Sequence, residues 1–293
     1  MDRDWDCIII GGGYWGAACW MEARCAGKSC LVIDDGDPKS GSRNASAICD
    51  PNAYNSDIFS KYWPPSWNRS HLKDSIHWLL EIGGEWVTER FWNQYQQRDM
   101  RDGHTVIYLP SPSCLTDSIG ERLSTRVTGF GESKGGVTLE TEAGRFTCQH
   151  LVVCAGYRTD DVLGLGGLEP VGVTGLYGRG INAKGNPLIP HPVSVMIAPY
   201  VKHTVRVWPN GLWKVGDTAE RKPNDKKLDN LRTVGKMVLG DYQEVAITEG
   251  FRPVLDRFTV DKVSGRVIIA TGGHRLGLGL ARLVAVKVGE MIR

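Results

Sequence analysis

Three glycines near the start of the chain, Gly11, Gly13 and Gly16, are spaced to hold a pyrophosphate. In a G-x-G-x-x-G turn the first glycine permits the tight bend and the second lets the backbone approach phosphate oxygens. The third lets the following helix pack close to its sheet. Tyr14 and Trp15 lie within this turn, and the N-terminus of the helix that follows adds N–H donors and the positive end of the helix dipole. Asp34 follows Gly11 by 23 residues, close to the spacing of about 20 at which a carboxylate meets a ribose hydroxyl. Asp35 is the alternative. The chemistry these residues can do is dinucleotide binding, and the spacing alone leaves FAD and NAD both open.

Each of those residues needs an element to place it. Residues 6–10 (DCIII) read as a short buried strand, 17–26 as a helix and 28–34 (KSCLVID) as a second buried strand. Strand, glycine turn, helix, strand and acid therefore stand in register, which a chance glycine-rich turn would not provide. Two more strand–turn units follow. Residues 146–156 (FTCQHLVVCAG) form a strand ending in Ala155-Gly156. Residues 266–270 (RVIIA) form another, running into TGGHRLGLG at 271–279 and then an apolar helix over 280–292. A helix N-terminus after such a turn stabilises negative charge placed before it. Alternation predicts strands near 193–198, 205–208 and 212–215, with Asn210-Gly211 as the hairpin turn between the last two.

In their order and spacing these segments resemble the D-amino-acid oxidase-type family of FAD-dependent oxidoreductases, nearest to glycine oxidase and sarcosine oxidase. The resemblance runs along nearly the whole chain. Gly11–Gly16 and Asp34 match the family's FAD motif, and Ser42, Arg43, Asn44, Ala45 and Ser46 resemble its loop beside the diphosphate and ring. Residues 115–123 look like its helix before the central strand pair, and Val127 falls at a cofactor position. Residues 151–156 match its V-V-x-A-x-G element, and 211–218 resemble its G-x-x-x-x-G-x-T strand. Phe251-Arg252-Pro253 with Asp256 resembles R-P-x-x-D. Gly273-His274 opens its G-H turn, followed by Arg275, Leu276, Gly277 and Leu278. Two departures stand out. The chain is shorter than typical members, and Gly277 and Gly279 lie three and five residues after His274, where the family spaces four residues between. No Cys follows Cys154, so no covalent Cys–flavin link is expected.

The resemblance implies FAD as cofactor and oxidation of a carbon–nitrogen bond. In the family a neutral amine gives a hydride from its α-carbon to flavin N5, the imine hydrolyses, and oxygen takes the electrons to form hydrogen peroxide. Arg252 sits where the family binds a substrate carboxylate, a task suited to a fork of donors; the alternative is a strand-end Arg paired with Glu249 or Asp256. Arg275 resembles a second substrate-side Arg, against a solvated turn residue. His274 is expected beside the flavin ring rather than as a base. Lys214 stands where sarcosine oxidases place a Lys near flavin N5, against a strand Lys facing solvent. Tyr200 and Trp208 are candidates to close a small pocket, against plain core packing. No metal site is expected.

Composition bounds these readings. The chain has 293 residues, 41% hydrophobic and 23% charged, which suits a globular protein and excludes coiled-coil, collagen-like and disordered classes. The apolar run at 7–10 is far short of the ~18 residues of a membrane span. Residues 1–6 carry three Asp and one Arg, so no export signal and a cytoplasmic location are expected. The eight Cys include no C-x-x-C pair and are expected as reduced thiols. The fold class is α/β: a Rossmann-like FAD-binding domain, with a parallel sheet of the glutathione-reductase type, over 1–60, 105–170 and 255–293. It is interleaved with a smaller substrate domain on an antiparallel sheet over 61–104 and 171–254.

Five of the ten Trp lie between Trp63 and Trp92. Residues 70–82 read as an amphipathic helix with Leu72, Ile76, Leu79 and Leu80 facing the core. In one reading Trp63, Trp78, Trp86 and Trp92 fill that core. In the other, some rings stack on bases while Arg69, Arg90, Arg98 and the basic run 221–227 meet phosphates. Compact relatives of glycine oxidase are associated with bacteriophage DNA modification, which adds glycine linked through nitrogen to a modified thymine as a substrate. The alternatives are a free glycine, sarcosine or D-amino-acid oxidase, a dehydrogenase with another electron acceptor, an NAD(P)H-dependent reductase, and a non-catalytic flavin-bound protein. The reductase wants a second nucleotide fingerprint, and Gly164–Gly167 does not follow a strand as one should. Molecular oxygen and an amine or amino acid are the expected partners.

Overall fold

In chain order the elements are β1 (Asp4–Ile10), α1 (Tyr14–Cys25), β2 (Cys30–Asp34), β3 (Ile48–Cys49), α2 (Arg69–Glu81), β4 (Glu85–Thr88), β5 (Arg90–Asn93), β6 (Arg98–Met100), β7 (Thr105–Tyr108), β8 (Arg122–Ser124), β9 (Val127–Ser133), β10 (Gly136–Thr141), β11 (Gly144–Val153), α3 (Thr159–Leu165), β12 (Thr174–Lys184), β13 (Val193–Ala198), β14 (Val201–Val207), β15 (Trp213–Gly216), α4 (Asp225–Leu239), β16 (Gln243–Val254), β17 (Thr259–Lys262), β18 (Val267–Thr271) and α5 (Gly277–Met291). They come from a computed structural model, which describes residues 4–51, 69–88, 90–93, 98–100, 105–188, 193–198, 201–216, 218–274 and 276–293.

A continuous apolar run such as 7–10 is stable only where both faces are covered, as in a parallel sheet. β1 lies there, between β2 and β11, in a sheet ordered β17-β18-β11-β1-β2-β8, with β10 and β9 extending it beside β11. Cys7 pairs with Cys30, and Ile8 with Leu31 and Leu151. Alternation divides the run. Cys7 and Ile9 enter a core with Ala17 and Ala18 of α1 and with Leu280 and Val284 of α5. Ile8 and Ile10 enter a second core on the opposite face with Leu139, Val162 and Leu163.

The second sheet runs β16-β12-β15-β14-β13-β5-β6. It is antiparallel except where β13 meets β5. One face is apolar and packs α4: Ile181, Val205 and Val215 meet Leu231, Val234 and Val238. The opposite face is left for the site. A small third sheet is ordered β3-β7-β4. The α/β class with one largely parallel and one antiparallel sheet is as expected.

The Asn210-Gly211 hairpin is present. Gly211 has φ +78°, and the turn closes through Trp208 N–H to Leu212 C=O at 2.7 Å. All eight cysteines are free thiols. α2 matches the helix expected over 70–82; Leu79 is buried, with Ile76 and Leu80 packed against the same core.

Three expectations need correction. α1 begins at Tyr14 rather than residue 17, because the Tyr14 N–H is capped from a distance by Ser42 Oγ at 3.0 Å. α5 likewise begins at Gly277 rather than 280. Residues 115–123 are no helix: a 3₁₀ turn covers Thr116–Ser118 and β8 follows. The edge of β2 claims this segment, with Val32 N–H donating to Glu121 C=O at 2.9 Å. Between the two readings of the tryptophans the described rings divide: Trp78 is core, whereas Trp86 on β4 is 50% exposed. Trp63, Tyr200 and Arg275 lie outside the described residues, as do the side chains of Arg69, Leu72, Arg90, Trp92 and Arg98.

Because Gly211 holds a left-handed conformation, Gly211→Ala should destabilise the fold by about 1–2 kcal/mol. A lowered thermal midpoint with an unchanged far-ultraviolet circular dichroism spectrum checks this.

Candidate active site

The glycine turn after β1 is built by close backbone approach. A Cβ on Gly16 would stand 1.8 Å from Gly11 O, and one on Gly11 would stand 2.4 Å from Cys154 O. Gly11 also has φ +100°. β1, α1 and the end of β11 therefore cross at a point that admits no side chain. A Cβ on Gly13 would press on Ser42 Oγ at 2.9 Å. Gly11, Gly13, Tyr14 and Trp15 line one end of a cavity of about 550 Å³, a size within the range of ligand sites.

Asp34 closes this end. Its Oδ2 accepts the Gly12 N–H at 2.6 Å, and its Oδ1 accepts from Gly36 N at 3.0 Å, Arg122 Nη2 at 2.7 Å and Arg43 Nη2 at 3.3 Å. Burial alone would push the carboxyl up. The Gly12 N–H, the Arg122 charge and the Gly36 N–H outweigh it and hold the carboxyl below its ordinary value of 3.8. Asp35 pairs with Arg158 Nη1 at 2.6 Å, and Arg126 Nε lies 3.8 Å away. Asp34, Asp35, Arg126, Val127 and Arg158 all line the cavity.

The middle of the cavity is walled by Ala155 and Gly156 on one side and by Asn44, Ala45 and Ser46 on the other. Gly156 C=O is fixed by the hydroxyls of Thr159 at 2.8 Å and Thr271 at 3.2 Å. Tyr157 and Tyr177 flank Phe251, with ring centroids at 4.7 and 5.4 Å. Burial, then the Asp37 carboxylate that accepts the Tyr157 hydroxyl at 2.6 Å, pushes Tyr157 up to about 12. Burial and Glu249 push Tyr177 up to about 12. Both phenols stay protonated at neutral pH, so neither is a ready base.

The rest of the wall is formed by Gly273, His274, Gly277 and Leu278 and by the open face of the second sheet. Trp15 Nε1 donates to Gly277 C=O at 2.6 Å, tying the start of α1 to the start of α5. His274 has φ +44°, and its N–H donates to Pro253 C=O at 2.9 Å. The sheet face itself carries few side chains. Gly178 pairs with Gly250, Gly180 with Thr248, and Thr204 with Gly216; all six line the cavity. Arg252 ends this row. Its Nη1 donates to Thr218 C=O at 2.8 Å, and its guanidinium passes over Gly178, where a Cβ would come within 3.2 Å.

The structure thus gathers Gly11, Gly13, Tyr14, Trp15, Asp34, Asp35, Asn44, Ala45, Ser46, Val127, Ala155, Gly156, Arg252, Gly273, His274, Gly277 and Leu278 around one cavity. It places others beside it. Gly16 and Leu276 pack behind the wall, and Arg43 reaches it through Asp34. Lys214 is neither solvent-facing nor on the wall. It is 2% exposed, and its Nζ donates to Thr248 Oγ1 beneath the cavity surface. Trp208 is core and does not line the cavity. Sequence reasoning missed Arg126, Arg158, Thr204, Thr248 and the paired glycines. The period-two series Thr248, Gly250, Arg252 was the available signal, since residues two apart on a strand share a face.

These features fit a dinucleotide carrying a ring system. The Cβ-free turn and the start of α1 suit phosphates, Asp34 and Asp35 suit a ribose, and the glycine-paved face suits a broad flat group. Among the described residues, no group of His, Cys, Asp and Glu is arranged for a metal, and no helix is long and apolar enough to cross a membrane.

Comparison with known proteins agrees. A family model described as DAO, FAD dependent oxidoreductase, matches residues 121–291, more than half of the chain. No curated protein sequence matches. Among solved structures, the chain is similar to glycine oxidase from Geobacillus kaustophilus, with 16% identity over 99% of this chain and 95% of that one and a TM-score of 0.66. It is similar to iminodiacetate oxidase from Chelativorans sp., with 17% identity over 96% and 93% and a TM-score of 0.71. It is also similar to L-proline dehydrogenase from P. horikoshii, with 13% identity over 100% and 94% and a TM-score of 0.72. At these identities the likeness is one of fold.

Since the Asp34 carboxyl is held below 3.8, it contributes stability above that pH and loses it as pH falls through its folded-state value. Asp34→Asn should therefore lower the melting temperature near neutrality, and its gap from the wild type should narrow below about pH 4. Melting curves across pH check this.

Proposed function

This chain belongs to the DAO family of FAD-dependent oxidoreductases, and we propose that it oxidises the C–N bond of a glycine-type amine whose carboxylate is held by Arg252. The observation that carries this reading is the position of Arg252. It is a cation on the cavity wall, at the end of a glycine-paved strand row and next to the Pro253–His274 bond that joins β16 to the start of α5.

FAD supplies, when bound, the acceptor for the two electrons that leave the amine. Gly11, Gly13, Tyr14 and Trp15 would hold its phosphates, Asp34 and Asp35 its ribose, and Val127, Asn44–Ser46, Ala155, Gly156, Gly273, Gly277 and Leu278 its remaining length. Arg252 would bind and orient the substrate carboxylate through charge-assisted hydrogen bonds. The glycine face keeps the space beside it open, so an N-substituted amine can lie flat against the sheet. Thr248 stands between Lys214 and the cavity, so the Lys214 charge would act through that hydroxyl. The protein's task in this reading is to orient a neutral amine for loss of its α-carbon hydride. With oxygen as electron acceptor and water completing imine hydrolysis, the products are glyoxylate, the freed amine and hydrogen peroxide.

A finer reading places the glycine on a modified thymine in DNA. The half-exposed Trp86 and the exposed Arg221 and Lys222 support it as a stacking ring and phosphate partners. The purified yellow protein, mixed without oxygen with glycine, sarcosine, D-alanine and duplex DNA carrying N-linked glycyl-thymine, tests both readings. Bleaching by any glycine-type amine supports amine oxidation, and bleaching by the modified DNA alone supports the finer reading. No bleaching by any of them counts against both.

Arg252→Met should raise KM for the accepted substrate roughly 10- to 100-fold, the equivalent of about 1.5–3 kcal/mol for a lost charged hydrogen bond. The visible flavin spectrum should be retained. An equal loss with the substrate's carboxamide analogue would remove the carboxylate role.

A further inference from the structure

The stretch between β2 and β3 has no regular helix or strand, yet Ser42, Asn44, Ala45, Ser46 and Ala47 all line the cavity. A loop that forms a binding wall must be pinned from outside. Its first half is pinned locally. Ser42 Oγ accepts the Tyr14 N–H at 3.0 Å, and Asn44 Nδ2 donates to Pro38 C=O at 2.7 Å and Ser40 C=O at 3.0 Å. Its second half carries Ala47 at φ +52°, a left-handed conformation that a non-glycine residue keeps only when its surroundings impose it.

We propose that Arg206 is the positioning residue that imposes it, clamping this loop into the shape that receives FAD. Arg206 stands on β14, directly opposite Lys214 on β15, and is buried. Its Nη1 donates to Ser46 C=O at 2.9 Å and Ala47 C=O at 3.3 Å, and its Nη2 donates to Leu109 C=O at 2.8 Å. Leu109 N–H in turn donates to Ala47 C=O at 3.0 Å, so the guanidinium brackets a backbone pair. Its flat faces lie 4.1 Å from the ring centres of both Tyr108 and Trp208. The cation thus joins the second sheet, the end of β7 and the cavity loop. Burial of a charge is unfavourable unless carbonyls and aromatic faces converge on it, and here they converge at the left-handed turn. A lysine can keep the charge between the rings but cannot span the three carbonyls with a rigid fork.

The test compares wild type with Arg206→Lys, Ala47→Gly and their combination. The readouts are FAD affinity by fluorescence quenching and amide hydrogen exchange of the FAD-loaded proteins. Arg206→Lys should weaken FAD binding at least about tenfold and speed exchange at 43–48, leaving β12 and β15 as in the wild type. Adding Ala47→Gly to it should weaken binding no further, because the loop is already released. Trp208→Leu, which removes one ring and leaves every carbonyl, should move both readouts in the same direction, and it decides the matter if Arg206→Lys does not fold. Wild-type FAD affinity in Arg206→Lys or in Trp208→Leu overturns the proposal. So does exchange that rises uniformly across the second sheet, or effects of Arg206→Lys and Ala47→Gly that multiply.

Discussion

A single close crossing of backbones organises this protein. The turn after β1 passes between the start of α1 and the end of β11 with Gly16 against Gly11 O and Gly11 against Cys154 O, at separations that leave no volume for a Cβ. That crossing sets the position of the first helix on the sheet and aims its N-terminus into the cavity. It also places Asp34 where it accepts the Gly12 N–H. The apolar runs of β1, β2, β11 and β18 supply the cores on either side of the crossing, and the helices that cover them are held at the distance it permits.

The second sheet answers a different constraint. Its α4 face is an ordinary apolar layer, but its other face must leave a cavity open, and it does so by omission. Gly178, Gly180, Gly216 and Gly250 leave the wall nearly flat, while Thr204, Thr248 and Arg252 give it a few polar points. The charges behind this wall are placed with equal economy. Lys214 is buried under Thr248, and Arg206 is buried between two rings with its donors on loop carbonyls. The glycine-paved wall and the loop that lines the cavity are thereby connected through side chains of one strand pair.

Much of the glycine-turn part of the cavity was legible in the chain because its signals are local. Gly11, Gly13, Gly16 and Asp34 lie within one strand–turn–helix–strand unit, and short-range spacing reports short-range geometry. The α5 turn and the Asn210-Gly211 hairpin were legible for the same reason. The segment 115–123 was misread because it was matched to the family's helix, whereas here pairing with the β2 edge, a long-range contact, sets its conformation. Trp86 shows the same limit from the other side, since periodicity and composition do not report which aromatic a neighbouring layer will cover.

By itself the sequence determined the strand–glycine turn–helix–strand unit at its start and the family to which the chain belongs, since these follow from residue types at fixed separations along the backbone. Only the tertiary structure decided that Lys214 lies beneath the wall rather than on it, and that glycines from three strands, β12, β15 and β16, form one face. Only it decided that Arg206, 160 residues from Ser46, reaches that residue's carbonyl. Contacts of this kind depend on how sheets stack and where loops return, and no spacing within a single element encodes that.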